Sequence, residues 1–459
     1  MKYRSNLLFI LMLLTACVTN DLSESVTSDL PEYWDNSVAL SDELWPTLDW
    51  WKSFESQELD GFIQEVRQSN LDIENNRRNL EAAQLRLREA GFNLIPTPTL
   101  LIGATESNGA TTTSDSLDLT ILLSYESILS KPYTFQSSLY GYRSTQAQSI
   151  DFAINTLSTA ASIYFQLLLV RNKIEVAELN LNNAEAIYQI ATARVIQGVA
   201  LPTESFRQQI TVQNEGTRLK QLNQEELSLL ASLSLLLGET VNEIDLTETS
   251  IEQIAIPPVS LGMPSELLVR RLDILQAQAN LNKAQANYSL TRSSLLPSLN
   301  IIARSHSSGS VMSSVLNRDA FVSMLNASLS QLVIDNGSRR RAISQSRLIL
   351  ENEINNYRKV VLGSFNEVQV LLSNQLLLEE LADLYLNQLN LSKQSFRISQ
   401  ERYAQGLDNF ETVLNTQNML YAKRIDVLNN KLQRLNGVIA LYVAMGGGWS
   451  DELAPELIM

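Results

Sequence analysis

The sequence predicts a mainly α protein with very long helices and a small β contribution of four strands, and three observations carry that reading. First, two stretches copy each other. Leu71-Asp72-Ile73 leads to Pro96, Gly198 and Gly238, and Leu272-Asp273-Ile274 leads to Pro297, Gly406 and Gly446. The first markers and the prolines are offset by 201 positions, the glycines by 208. Second, residues 133–197 hold no proline and one glycine, Gly141, and residues 341–405 hold no proline and only Gly363. Each run is roughly 98 Å long as a helix at about 1.5 Å per residue. Third, four segments of about ten residues alternate apolar and polar side chains, the length of a strand that crosses a membrane. A repeat this long, with so much helix, is not an ordinary enzyme domain.

Composition narrows the function. The chain has 459 residues, 44% hydrophobic and 19% charged, with a formal net charge of −15. It has no basic field to neutralise phosphates, which disfavours nucleic acid, and none is expected as a partner. One cysteine and one histidine leave no disulfide framework and no His/Cys metal site. The sequence has no phosphate loop, G-x-S-x-G or dinucleotide fingerprint, so neither catalysis nor a cofactor is expected.

The elements follow in order. Lys2 and Arg4 precede a short apolar run, Leu7 to Leu14, too brief to span a bilayer. It ends in Leu14-Thr15-Ala16-Cys17, which resembles a bacterial lipobox, so Cys17 is the expected lipidation site. Removal of residues 1–16 takes away Lys2 and Arg4 and moves the net charge from −15 to −17. Val18 follows the cysteine, where an aspartate is associated with inner-membrane retention, so outer-membrane delivery is expected. Helices are expected over 57–94, 133–197, 200–238, 265–295, 341–405 and 408–446. In the last of these, Leu414, Tyr421, Leu428, Leu435 and Tyr442 recur every seven residues, a coiled-coil seam with Val413, Leu420 and Val427 beside it. By length, 200–238 stacked on 265–295 matches one long helix, and 57–94 with 408–446 matches the other. Pro257, Pro258 and Pro264 interrupt 239–264, the expected place for an irregular belt.

The strands are expected within 97–126 and 299–332. Leu117, Leu119, Ile121, Leu123 and Tyr125 share one face, and Asp118, Thr120, Leu122, Ser124 and Glu126 the other. Leu299, Ile301 and Ala303, then Phe321, Leu325, Ala327 and Leu329, repeat the pattern, and Leu100, Ile102 and Ala104 do so more weakly. Four strands cannot close a barrel, and an open edge in lipid leaves backbone groups unsatisfied. Closure therefore needs several chains, two giving eight strands or three giving twelve. The polar linkers 107–116 and 307–319 are expected to face water. His306 reads as a polar lumen or loop-proximal residue, and Arg339-Arg340-Arg341 as a solvated helix start.

These residues together resemble the TolC-type outer-membrane efflux proteins, in their lipoprotein, drug-efflux branch. The local signatures are Leu295-Leu296-Pro297-Ser298-Leu299, Asp335-Asn336-Gly337 before Arg339, and Tyr403-Ala404-Gln405-Gly406 leading into Phe410 to Tyr421. The chain departs from the family at Leu272, where proline is frequent, and at Ser130-Lys131-Pro132, which lacks the usual glycine. The resemblance implies a trimer with a membrane β-barrel above a periplasmic α-barrel, each protomer giving two structural repeats. The expected organisation is a signal peptide (1–16), a lipidated extension and equatorial segment (17–56), repeats over 57–238 and 265–446 joined by an equatorial linker (239–264), and a tail (447–459). It implies outer-membrane lipid, a periplasmic adaptor and an inner-membrane pump as partners, and a passive exit duct for drugs or other small molecules. Type I protein secretion, metal efflux or a non-porous coiled-coil scaffold are the alternatives. Function is expected at two helical turns. Gly198, Leu201, Gly406, Leu407 and Phe410 would meet the adaptor, and Arg402, Asp408 and Glu411 would close an aperture.

Overall fold

Long stretches without helix breakers form unbroken helices here, and glycines and prolines mark most of the ends. The computed structural model describes residues 49–108, 113–248, 250–258, 270–332 and 334–449. Its elements are α1 (Gln57–Ser69), α2 (Leu71–Phe92), β1 (Thr97–Asn108), β2 (Thr113–Tyr125), α3 (Lys131–Ile196) and α4 (Pro202–Leu237). Then come α5 (Leu272–Ser293), β3 (Ser298–Gly309), α6 (Met312–Val315), β4 (Val322–Ser330), α7 (Ser338–Ala404) and α8 (Phe410–Ala444). The fold is largely helical with one four-stranded antiparallel sheet. Cys17, the signal segment and most of the tail lie outside the described residues, as does part of the linker after Pro258.

α3 has 66 residues and α7 has 67, about 100 Å each. The helix expected over 57–94 is two helices. Asn70 has extended backbone (φ −67°, ψ 120°), and its side chain accepts from the Asp72 and Ile73 amides, capping α2. Arg271, 201 positions later, is also extended (φ −75°, ψ 126°), and α5 starts after it at Leu272. The linker 307–319 is also more ordered than a polar loop, since β3 runs to Gly309 and α6 follows.

The stacking partners differ from those expected by length. Asn70 Nδ2 donates to Leu236 O at 2.8 Å, so the end of α4 meets the start of α2. Arg271 Nη1 donates to Ala444 O at 2.7 Å, so the end of α8 meets the start of α5. The stacks are thus α4 with α2 and α8 with α5, each formed by segments from the same half of the chain. Length alone cannot choose between partners, because the short helices of the two halves are nearly equal. α3 lies between the two stacks, packing against α2 and α4 and against α5 and α8. α7 packs on the α5–α8 stack.

The heptad seam of α8 is internal: Tyr421, Leu428, Leu435 and Tyr442 are buried, with Val413 and Leu420. At mid-height Trp50 stacks on Tyr442 at 5.6 Å, and Phe54 meets Phe165 edge-on at 5.1 Å. The belt is held there as well: the Ala255 amide donates to Phe54 O at 3.2 Å and the Ile251 amide to Asn172 Oδ1 at 2.8 Å.

The sheet order is β1-β2-β3-β4. Directly paired residues share a face, so the register tests the alternation. Pro98, Leu123, Ala303 and Leu325 form one row, and Tyr125, Ile301 and Ala327 another. Leu101, Thr120, His306 and Val322 form a row on the opposite face. The apolar sets expected from each strand therefore combine on one side.

Candidate functional site at the two helical turns

The two turns are built alike, and their sequences explain why. In the first, Gly198 has φ +76° and its amide donates to Val195 O at 3.0 Å, while the Val199 amide donates to Arg194 O at 3.1 Å. In the second, Gly406 has φ +72°, its amide donates to Tyr403 O at 3.0 Å, and the Leu407 amide donates to Arg402 O at 2.9 Å. This pair of bonds is a Schellman end, and its left-handed position suits glycine. Pro202 then opens α4, where a missing amide hydrogen costs nothing. Asn409 opens α8, its side chain accepting from the Thr412 amide at 2.9 Å.

The surfaces of the turns differ. The first is apolar: Leu201 is 72% exposed and Ile196 80%, with Val199 and Phe206 also open. The second carries charge. Arg402 Nε donates to Asp408 Oδ2 at 3.3 Å, and Glu411 lies in the first turn of α8. The bond that Asp408 accepts from the Asn409 amide, with those from Thr412 and Arg402, outweighs desolvation and holds its carboxyl below the usual aspartate range. Leu407 is exposed, but Phe410 is only 8% exposed and packs at 5.9 Å from the Tyr403 ring. Within the chain, then, much of the apolar surface of Phe410 is used inside the turn.

Three residues given no site role in the sequence join the turns. Tyr403 OH donates to Glu204 Oε1 at 3.3 Å, and the Arg194 guanidinium lies 5.1 Å above the Tyr403 ring. Burial raises the phenol's pKa despite the opposing charge of Arg194, and Glu204 adds to the rise, so Tyr403 stays a neutral donor. Tyr403 stood in a recognised signature, but Arg194 and Glu204 carried no local signal.

The other expected residues are placed plainly. His306 Nδ1 lies 3.1 Å from Thr120 Oγ1 on the polar face of the sheet. Arg339 is not merely solvated: its Nε donates to Asp335 at 3.0 Å and its Nη1 to Ser294 O at 3.0 Å, with Nη2 on Leu332 O. Among the described residues no group of three or more His, Cys, Asp or Glu side chains is placed to hold a metal ion.

Comparison with known proteins adds three findings. The family described as outer membrane efflux protein matches residues 263–447. The pyoverdine export outer membrane protein OpmQ of Pseudomonas aeruginosa is 28% identical over 96% of this chain and 97% of its own, and that of Pseudomonas putida is 27% identical over 92% and 93%. In fold, the chain is similar to the outer-membrane channel OprN, with a TM-score of 0.81 at 20% identity over 91% of this chain and 99% of that one. It is likewise similar to the open state of the Neisseria gonorrhoeae MtrE channel, with a TM-score of 0.82 at 19% identity over 92% and 96%.

Proposed function

We propose, from the premise that this chain belongs to the TolC-type family of outer-membrane efflux proteins, that three copies form the exit duct of a tripartite efflux system. As a member of that family the chain is an outer-membrane efflux channel protein, a passive conduit and not a catalyst. The family places it in the outer membrane and across the periplasm. It also implies a periplasmic adaptor and an inner-membrane pump as partners. In this reading Cys17 carries the lipid anchor, the two turns with Gly198, Leu201, Gly406, Leu407 and Phe410 meet the adaptor, and Arg402, Asp408 and Glu411 form the aperture.

One observation carries the assembly: a single chain is an unfinished wall. On α7, Val370, Leu377, Leu384, Leu391 and Ile398 recur every seven residues, and all are 49–66% exposed. A strict heptad of apolar residues is a seam for another helix. α5 and α8 already cover a different side of α7. The complementary open surface is on the α4–α2 stack, where Phe206, Leu227, Leu85 and Phe92 are exposed. The sheet repeats the logic, since β1 and β4 are edge strands with exposed apolar side chains, and lipid tolerates no open edge. Joining α7 to the α4–α2 stack of the next chain, and β4 to its β1, closes both layers at once. Twelve strands support a water-filled lumen, whereas eight leave room for little beyond side chains.

For cargo, the two relatives matched almost end to end are named for pyoverdine export, and pyoverdine-type molecules are the first class to assay. The test of the duct is reconstitution of the full-length protein in planar bilayers. Discrete conductance steps from a trimeric particle are expected. A water-soluble monomer without conductance would overturn the proposal and leave the non-porous scaffold.

A further inference from the structure

At one end of the sheet, the three junctions between strands and helices (β2–α3, α5–β3 and β4–α7) line an open pocket of about 510 Å³. Ser127, Ser130, Ser294 and Ser298 are among its lining residues, the hydroxyls of Ser130, Ser294 and Ser298 each donating to a backbone carbonyl, and Leu296 and Leu332 bring apolar wall. Arg339 also lines it, tied to Asp335, Ser294 and Leu332, so that guanidinium fixes the junction. The next two residues, Arg340 and Arg341, are exposed on the first turn of α7. Lys131 opens α3 at the same level, 5.0 Å over the Tyr125 ring, and Arg292 closes α5, 5.6 Å over Tyr288. In sequence, the junction segments 126–130, 294–297 and 331–337 carry two acidic residues, Glu126 and Asp335, in a chain whose net charge is −15. The basic collar is therefore a local feature set against the charge of the whole.

The surroundings say what kind of anion fits. Leu332 is 64% exposed and Ile334 79%, a few residues from Arg340. Apolar side chains left open beside arginines suit a ligand that is charged at one end and hydrocarbon at the other. A free phosphate has no use for Ile334. Juxtamembrane cations bind acidic lipid headgroups, and aromatic rings such as Tyr125 and Tyr288 suit the same interfacial depth.

We propose that this collar binds the headgroup of an anionic phospholipid in the periplasmic leaflet of the outer membrane. Arg340 and Arg341 meet the phosphate, the serine-lined pocket takes the hydroxyl-bearing end of a glycerol headgroup, and Leu332 and Ile334 lie along the first methylenes of the acyl chain. The assignment rests on reading the sheet as the membrane wall.

The experiment uses the full-length protein in mixed micelles containing phosphatidylglycerol and phosphatidylcholine, with retained lipid counted by native mass spectrometry. Wild type is expected to retain phosphatidylglycerol in preference, and the preference to fall as ionic strength rises. Arg340→Ser with Arg341→Ser is expected to lose it by about tenfold, and the double lysine variant to keep most of it. Equal retention of the two lipids by wild type overturns the site, as does unchanged retention in the serine variant. Displacement of the lipid by millimolar inorganic phosphate assigns the collar to a free anion and also overturns it. If the serine variant does not fold, the wild-type lipid preference and its salt dependence decide. Conductance measured on the same wild-type preparation in pure phosphatidylcholine separates the two readings: steps without lipid preference sink the site alone, and absent steps sink the duct.

Discussion

Tyr403 donates its phenolic hydrogen to Glu204 across 3.3 Å, and this bond joins two turns 199 residues apart in sequence. It is neutral-to-charged and partly buried, with Arg194 stacked on the ring. A tip that opens must either carry both turns together or break this contact. Tyr403→Phe keeps the ring against Phe410 and removes only the donor. Such a bond contributes about 1 kcal/mol, or roughly a fivefold change in an open–closed ratio. Higher open probability in single-channel records is expected for Tyr403→Phe and for Glu204→Gln, and the double variant should add little. Wild-type gating in both single variants would show that the turns move as one body.

The Arg402–Asp408 pair makes a prediction about pH. The folded carboxyl of Asp408 lies below the usual aspartate value, chiefly because it accepts the Asn409 amide hydrogen. A depressed value means that its contribution is complete above the unfolded value, about 3.9, and is lost as pH falls through the lower folded value. Gating that depends on this link is therefore the same at pH 5 and pH 7 and changes only in stronger acid. Asp408→Lys should raise conductance at neutral pH, and adding Arg402→Glu should recover part of the closure. A conductance that shifts between pH 7 and pH 5 and loses that shift in Asp408→Asn would contradict the assignment.

Two carboxyls at mid-height act in opposite directions. Burial works to raise Asp273, but its bonds and charge pairing with Arg271 prevail and lower it. Burial and the nearby charge of Asp273 raise Asp151. As pH falls towards about 3.9, protonation of Asp151 adds stability, and below that value Asp273 loses its contribution. A shallow maximum in thermal stability on the acidic side of neutral is expected for wild type, and Asp151→Asn should flatten its rise.

How much of this was legible in the sequence follows from where the information sits. Gly198, Gly406, Pro202 and the long breaker-free runs mark helix ends locally, and the structure's boundaries agree within a few residues. The α8 heptad and the strand alternation are periodic signals, and both proved to sort buried from exposed or one face from the other. The break at Asn70 was hidden because apolar residues continue on both sides, while the cap that ends the helix is one side chain turning back on two amides. The stacking of α4 on α2 depends on Asn70 meeting Leu236, 166 residues away. Phe410 reads as an exposed anchor beside a turn, and only the position of Tyr403 shows that it is covered.

Gly446 and Gly406 separate backbone strain from close packing. Both are left-handed, at φ +71° and +72°. A Cβ on Gly446 would lie 2.6 Å from Arg270 O, whereas one on Gly406 meets nothing within 4 Å. Alanine at either site costs about 1–2 kcal/mol for its backbone alone. At Gly446 the clash adds about 1–3 kcal/mol and pushes α8 off α5. Denaturant unfolding should show Gly446→Ala as clearly the more destabilised. Equal losses would mean that the α8–α5 junction yields without cost.

The assembly predicts which residues of neighbouring chains touch. Within one chain, Arg171 pairs with Glu226 at 2.9 Å and Thr192 with Ser205 at 3.1 Å, so antiparallel helices meet at nearly equal distance from their turn. The same rule between chains matches α7 with α4 of the next copy. Leu377 stands 29 residues before Gly406, and Leu227 stands 29 after Gly198. Ile398 and Phe206 each stand eight away. The only native cysteine is Cys17, so cysteines placed at 377 and 227 give an unambiguous disulfide readout. Oxidation of Leu377→Cys with Leu227→Cys should convert the protein to a species three chains in mass on a non-reducing gel, while each single variant stays at one. The Ile398→Cys and Phe206→Cys pair should do the same and also hold the aperture closed, since it sits beside the turns. Pairing 377 with 206, whose distances from the turns differ by 21 residues or about 30 Å of helix, should give none. A ladder running past three chains would require an open array, and a ring closed at three is the geometry that gives a tunnel its wall.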